Sequence, residues 1–148
     1  MRATAVLLLA ALAGCSGMTV PSATLELTLQ GGADQNPDAI GNPAPVAVHV
    51  YHLASAERFE RADLFALIER EAATLGTDVL RSEEFVLAPG EISKIRQPIN
   101  NNVRYVGIIV LFRDIDHATW RAMSPVSTSA PLILVLKTAG IVAALIKA

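Results

Sequence analysis

The sequence contains a single cysteine among its 148 residues, and it has no excess of positive charge. One cysteine excludes a disulfide bond within the chain, so the fold has to be stabilised by its hydrophobic core alone. Lys and Arg number 12 against 14 Asp and Glu, which gives a formal net charge of −2. A chain with this balance offers no basic field that would attract nucleic acid.

Sequence motifs that carry catalysis are also missing. No G-x-S-x-G motif is present, and no glycine-rich phosphate loop follows a predicted strand. His49 and His52 lie three residues apart on a predicted strand, so their side chains should point to opposite faces rather than share a metal. Residues 114–117 lack the ligand pattern of a calcium loop and are interpreted as a polar turn, with Trp120 after it buried in the core. No catalytic residue, metal or cofactor is therefore expected.

The first residues, MRATAVLLLAALAGCSG, predict a secretory signal that ends directly before the cysteine. Arg2 supplies a positive n-region, and residues 3–11 form a predominantly apolar run. Residues 12–14 end in the small side chains that a signal peptidase requires before its cleavage site. The run is too short to span a bilayer stably. With Cys15 next in the chain, this segment resembles a bacterial lipobox, which is cleaved before its cysteine.

Cys15 is the expected site of lipidation, because its thiolate can be alkylated by a diacylglycerol and the freed amine is then usually acylated. Each buried CH₂ contributes about 0.8 kcal/mol, so three chains together form a permanent anchor. An Asp after the cysteine commonly retains lipoproteins in the inner membrane, but Ser16 stands there. The expected location is therefore the outer membrane, on its periplasmic face. The alternative is an ordinary signal with a chance cysteine.

The chain is thus predicted to consist of a leader, a tether and one folded domain. The leader is residues 1–14, the tether with its lipidated cysteine is residues 15–22, and the domain is residues 23–148. An extended residue spans roughly 3.5 Å, so the tether reaches less than about 30 Å and the domain works close to the membrane.

Hydrophobic periodicity along the domain predicts a mostly β fold. Residues 23–30, ATLELTLQ, alternate between apolar and polar side chains, which is typical of a half-buried antiparallel strand. Residues 46–53 are β-branched and aromatic, and residues 103–113 form the longest apolar strand, expected at the centre of its sheet. Further strands are predicted at residues 83–87, at 92–97 as the hairpin partner of 83–87, around Met123, and in a C-terminal hairpin that turns near Ala139 and Gly140.

One segment between these strands has a helical period instead. Apolar residues recur at helical spacing over residues 60–76, where Asp63 can cap the start and Gly76 can end the helix. Seven or eight short strands with one inserted α-helix predict a two-sheet β-sandwich.

A long segment without periodicity, residues 31–45, separates the first two strands. It is rich in Gly, Asn, Asp and Pro, although a two-residue turn would suffice to join two strands. Loops of this length inside compact domains are usually functional or disordered. The role of this loop is therefore central to the function.

Several segments in order resemble the type VI secretion lipoprotein family TssJ, also called VasD. They are the lipobox, the polar Asn-Pro loop, PVAVHVYHL, FERADLFAL, TLGTDVL, LAPGE and YVGIIVLFRDIDHATWR, which together run from Cys15 to about Arg121. The resemblance implies a transthyretin-like β-sandwich with an added helix, anchored in the inner leaflet of the outer membrane. It also implies binding to the periplasmic C-terminal region of the inner-membrane protein TssM, and through TssM to TssL. His49 departs from the family, which more often has arginine in this strand.

In that family the loop between the first two strands contacts TssM, and here this loop is residues 31–45. Two Asn-Pro pairs limit its conformations, which lowers the entropy lost on binding. Ile40 is the candidate apolar anchor, and Asp34 and Asp38 would match a basic partner surface. The predicted partner-binding residues are Asp34, Gln35, Asn36, Pro37, Asp38, Ile40, Asn42 and Pro43.

Other interpretations remain open from the sequence. The loop could be a disordered insert that merely tolerates length. The chain could be a generic periplasm-facing lipoprotein that binds a small ligand or assists envelope assembly. It could also be a hydrolase, since transthyretin-like folds include one of purine breakdown, but that chemistry requires clustered histidines and a basic residue at a dimer cleft. Three scattered histidines argue against it.

Overall fold

In the computed structural model, residues 23–127 and 130–148 are described, and they form two four-stranded sheets. The predicted leader and Cys15 lie outside these residues. Among the described residues, no helix has the length and apolar character needed to cross a membrane. The strands are β1 Thr24–Gln30, β2 Val46–Leu53, β3 Val79–Leu87, β4 Ile92–Pro98, β5 Tyr105–Leu111, β6 Arg121–Pro125, β7 Leu132–Ala139 and β8 Val142–Lys147.

The two sheets face each other as a sandwich, which confirms the predicted fold class. The first sheet has the order β4-β1-β7-β8 and the second β3-β2-β5-β6. All neighbours are antiparallel except β1 and β7, which are parallel. The alternation in β1 has the predicted effect, because Leu25, Leu27 and Leu29 are buried in the core between the sheets. From the second sheet, Val48 and Val50 join the same core.

The predicted hairpin between β3 and β4 is wrong. β3 pairs with β2, whereas β4 pairs with β1 in the other sheet, so residues 88–91 form an arch between the sheets. The arch is held by Gly31, the residue that directly follows β1. Gly90 N donates to Gly31 O at 3.0 Å, and Gly31 N donates to Glu91 O at 2.8 Å. A Pro-Gly turn marks a reversal of direction, but it does not determine whether the next strand stays in the same sheet.

The single predicted helix is replaced by three short ones, α1 Glu57–Arg61, α2 Leu64–Glu69 and α3 Glu71–Leu75, followed by a 3₁₀ turn at Gly76–Asp78. Asp63 does cap α2, accepting a hydrogen bond from Ala66 N at 2.8 Å. A residue that caps this way takes an extended backbone, with ψ 164° here, and it thereby separates α1 from α2. Gly76 ends α3 with φ 53°, as predicted.

The helices cover the outer face of the second sheet. Tyr51 and Ile109 from the sheet pack with Phe59, Leu67 and Leu75 from the helices in a second hydrophobic cluster. These side chains are fully buried. The cluster is therefore the reason why a helical insert is stable on this sandwich.

The sandwich has two different ends. The chain enters the domain at Ala23, beside the end of β4 and the start of β7. We call this the tether end. The opposite end, called the loop end, carries the connections β1–β2 (residues 31–45), β3–β4 (88–91), β5–β6 (112–120) and β7–β8 (140–141).

Candidate functional site

The β1–β2 loop is attached to the sandwich by the buried side chain of Gln35. Its Nε2 donates to Leu87 O at 2.7 Å and to Ala44 O at 3.3 Å, and its Oε1 accepts from the hydroxyl of Thr138. Leu87 ends β3 and Thr138 lies in β7, so one side chain connects the loop to both sheets. A buried amide with all these partners fixes the base of the loop.

Asn36 joins the other connections of the loop end. Its backbone has φ 50°, a left-handed conformation that Asn tolerates better than most residues. Its N donates to Gly140 O at 2.7 Å, its Nδ2 donates to Pro45 O at 2.9 Å, and its Oδ1 accepts from Arg113 N at 2.7 Å. The β1–β2, β5–β6 and β7–β8 connections therefore form one hydrogen-bonded unit.

These contacts correct the role predicted for two residues. Gln35 and Asn36 are buried, so their side chains present no surface to a partner while the loop keeps this conformation. Their amide groups bond the loop to its own domain instead. Both residues support the site rather than form its contact surface.

The tip of the loop is organised around the carboxylate of Asp38. Its Oδ1 accepts from Ile40 N at 3.0 Å and from Asn42 N at 2.9 Å, and its Oδ2 accepts from Asn42 Nδ2 at 3.1 Å. Asp38 N also donates to Asn42 O at 2.9 Å. Ile40 stands at the centre of this turn with 85% of its surface exposed. The turn thus presents an apolar side chain to solvent.

The remaining predicted site residues lie around this turn. Asp34, Asn42 and Pro43 are exposed, and Pro37 is half-buried. Because the proline rings restrict the backbone before and after the turn, they limit the conformations that Ile40 can reach. The structure therefore brings six of the eight predicted residues to an accessible surface at one loop.

The Asp38 turn predicts a pH dependence. The backbone N–H of Asn42, helped by its side chain, by Ile40 N–H and by the charge of Arg113, holds the pKa of Asp38 below its ordinary value of 3.8. A lowered pKa means that the turn is stabilised above pH 3.8 and loses this support as the pH falls through the lowered value. We expect the amide NMR signals of Ile40 and Asn42 to be constant from pH 7 to 5 and to shift together below pH 3.8. A shared midpoint above 3.8 would contradict this arrangement.

The three histidines do not come together. His49 lies on the outer face of β2, 2.9 Å from a carboxylate oxygen of Glu84. His52 points into the space between the sheets, as the alternation predicts, and burial lowers its pKa. His117 is in the β5–β6 loop, where the hydrogen bond that its ring donates to the carboxylate of Asp114 raises its pKa. No group of three His, Cys, Asp or Glu side chains within residues 23–127 and 130–148 could hold a metal ion.

Two aromatic side chains depart from the sequence analysis. Trp120 was predicted to be buried in the core but is only half-buried, because its ring lies at the edge of both hydrophobic clusters, 4.3 Å from the guanidinium of Arg121. Phe65 in α2 is 60% exposed, although the helical period places apolar side chains on the buried face. The only signal in the sequence is that Phe65 lies beside the i, i+3 pair of Leu64 and Leu67, which forms the buried face of α2.

Comparisons with known proteins identify the family and the fold. The chain matches the model of the family described as "Type VI secretion lipoprotein, VasD, EvfM, TssJ, VC_A0113" over residues 23–140. Its structure is similar to that of the type VI lipoprotein TssJ1 from Pseudomonas aeruginosa, with 30% identity and a TM-score of 0.84, covering 86% of this chain and 98% of that chain. No curated protein sequence matches the chain.

Two further solved structures have the same fold. Lip from Serratia marcescens, described as a membrane-bound component of the type VI secretion system, has 25% identity and a TM-score of 0.73, covering 86% of this chain and 97% of that chain. A structure described as the TssM C-terminal domain from EAEC has 23% identity and a TM-score of 0.69, covering 83% and 97%. The second likeness concerns the fold alone.

Proposed function

Because the chain belongs to the type VI secretion lipoprotein family of TssJ and VasD, we propose that it anchors the periplasmic C-terminal region of TssM to the outer membrane. Through TssM it would be connected to TssL. The observation that carries this proposal is the β1–β2 loop, whose base is fixed by buried amides and whose tip presents Ile40. This loop would be the docking element.

The direction of β1 supports a domain with its membrane anchor at one end and its docking loop at the other. The strand runs from the tether end to the loop end over seven residues, which is roughly 20 Å at about 3.3 Å per residue. With a lipid on Cys15 and a tether of residues 15–22, the tether end would face the membrane. The β1–β2 loop would then point away from the outer membrane, toward a partner that rises from the inner membrane.

The hydrogen bonds of the loop support binding by a prepared surface. A loop that is already ordered loses less conformational entropy when a partner binds it. Its hydrogen bonds are made within the domain, so the partner has to satisfy few polar groups of the loop. An exposed apolar side chain at the centre of such a tip is a suitable hot spot, because its burial can exclude water from the surrounding polar contacts.

The charge of the loop end indicates a basic partner surface. This end carries Asp34 and Asp38 in the β1–β2 loop and also Glu91, Asp114 and Asp116 in the neighbouring connections. Arg113 is a basic residue of the same end, and its charge acts on Asp38. Carboxylates therefore outnumber basic groups, which would steer a basic surface toward the loop.

The proposal predicts that Ile40→Asp weakens binding to the periplasmic C-terminal region of TssM at least tenfold. The change removes the apolar anchor and would bury an unpaired charge at the interface. The supports of the loop base are untouched, so the fold should persist. Isothermal titration calorimetry with the mature lipoprotein in detergent would measure the affinity.

Ile146→Asp is the matched control, because Ile146 is 45% exposed on the outer face of the first sheet. It should bind as the wild type does. Equal affinity of all three proteins would place the contact outside the loop tip. A wild-type chain that does not bind would overturn the proposed function itself.

A further inference from the structure

A second apolar feature lies beside the β1–β2 loop at the same end of the sandwich. It is a groove of about 270 Å³ between α2 and the β5–β6 loop, lined by Asp63, Leu64, Phe65, Ile115, Asp116 and Trp120. Phe65 is the most exposed of its apolar lining residues. We call it the Phe65 groove. Neither the loop nor the hydrophobic core accounts for an aromatic side chain left in solvent at this place.

The walls of the Phe65 groove are fixed in advance. Arg121 lies under the ring of Trp120, and its guanidinium donates to the carbonyls of Phe59 and Ala62 at 2.6 Å each and to that of Glu60. These bonds attach the end of α1 to β6. On the other side, Asp63 caps α2 and so sets the direction in which Phe65 leaves the helix. A preformed groove can accept a side chain with little rearrangement.

The rim of the groove is negatively charged. Asp63 and Asp116 stand at its edge, and neither forms an ion pair with any residue in the described part of the chain. The charge of Arg121 reaches Asp63, but its guanidinium is held under Trp120 by three carbonyls. An apolar floor between two carboxylates is complementary to an apolar side chain with basic neighbours.

The Phe65 groove is connected to the β1–β2 loop through the backbone. Arg113 begins the polar part of the β5–β6 loop, and its N–H is bonded to Oδ1 of Asn36. From there the same loop continues to Ile115, Asp116 and Trp120 at the groove. The β5–β6 loop therefore connects the two features, since it is hydrogen-bonded to the β1–β2 loop and lines the groove beside Phe65.

Building on the function proposed above, we infer that the Phe65 groove is a second contact for the partner that binds the β1–β2 loop, and that it receives an apolar side chain flanked by Lys or Arg. Two separated contacts would fix the orientation of the partner, which a single protruding Ile40 does not. The basic neighbours would meet Asp63 and Asp116. The specificity of docking would thus depend on α2 and the β5–β6 loop as well as on the β1–β2 loop.

Calorimetry with the mature lipoprotein and the periplasmic C-terminal region of TssM tests this inference. Phe65→Ser should weaken binding about tenfold or more, because it removes an aromatic anchor from the interface. Ile146→Ser, a matched change of an exposed apolar residue on the first sheet, should have no effect. If Phe65→Ser binds with wild-type affinity while Ile40→Asp loses binding, the role inferred for the Phe65 groove would be contradicted and the proposed function would stand.

Asp116→Lys is a second variant, and it leaves the apolar packing unchanged. It should slow association with the same TssM region and reduce the dependence of the association rate on salt, since rim charges act mainly on encounter. Stopped-flow or surface-based kinetics would measure both quantities. Unchanged association would contradict the role of the acidic rim. If the wild-type protein does not bind this TssM region, both the proposed function and the role inferred for the groove would be contradicted.

Discussion

The variant Phe59→Ala is expected to lower the free energy of unfolding by about 3–5 kcal/mol, as removal of a fully buried aromatic ring commonly does. The ring lies on Gly107 of β5, where an added Cβ would be 2.7 Å from Cζ of Phe59. It also packs against Tyr51, with ring centroids 5.4 Å apart. Gly107 has no side chain that could move into the space, so a cavity would remain beneath the missing ring.

Thermal and urea unfolding would measure this loss, with a Tm lower by roughly 10–20 °C for a domain of this size. Phe65→Ala is the matched control, because it changes the same residue type in the same helical insert at an exposed position. Its stability should stay within about 0.5 kcal/mol of the wild type. If Phe59→Ala cost less than 1 kcal/mol, the helices would not be docked on the second sheet as described.

The second large effect is expected from Cys15→Ser, which should release the protein from the membrane. A hydroxyl is not alkylated where a thiolate is, so the chain would lose its acyl chains and the buried CH₂ groups that hold it, each contributing about 0.8 kcal/mol. The folded domain should be unaffected, since the cysteine precedes the first described strand. Membrane fractionation followed by mass determination of the mature protein would measure both lipidation and location.

Ser16→Asp provides the control for sorting. This variant should remain lipidated but move toward the inner membrane. It therefore separates the effect of the lipid anchor from the effect of the residue that directs sorting. A Cys15→Ser protein that stays in the membrane fraction would contradict lipid anchoring through this residue.

The strands could be predicted from the sequence because each carries its own periodicity. In β1 every second residue is apolar, and the register with β4 and β7 follows from burying that face. The C-terminal hairpin of β7 and β8 was found by the same pattern, with Gly140 at its turn. Local pattern and tertiary packing agree in these segments, so local evidence was sufficient.

The pairing of β3 and β4 could not be predicted in this way. Both strands have one partly buried and one largely exposed face, so either sheet could accept either strand. Their separation depends on β1 and β2, which lie far away in the sequence and occupy the neighbouring positions. Similarly, the helical period of residues 60–76 does not reveal that the capping residue Asp63 interrupts the helix.

The sequence predicts the candidate site as one loop and does not divide that loop into its parts. Unusual length and composition identified residues 31–45, and the exposure of Ile40 agrees with the anchor proposed there. The support given by Gln35 depends on Leu87 and Thr138, which are 52 and 103 residues away. No pattern within the loop distinguishes a buried amide from an exposed one, so contact and support were predicted as a single set.

The central claim is that the tip of the β1–β2 loop contacts TssM at the outer membrane. Its most direct test is light-induced crosslinking in cells that express the full-length lipoprotein with a photoreactive amino acid at position 40 or, as a control, at position 146. We expect an adduct with TssM from position 40 and none from position 146. An adduct from position 146, with none from position 40, would contradict it.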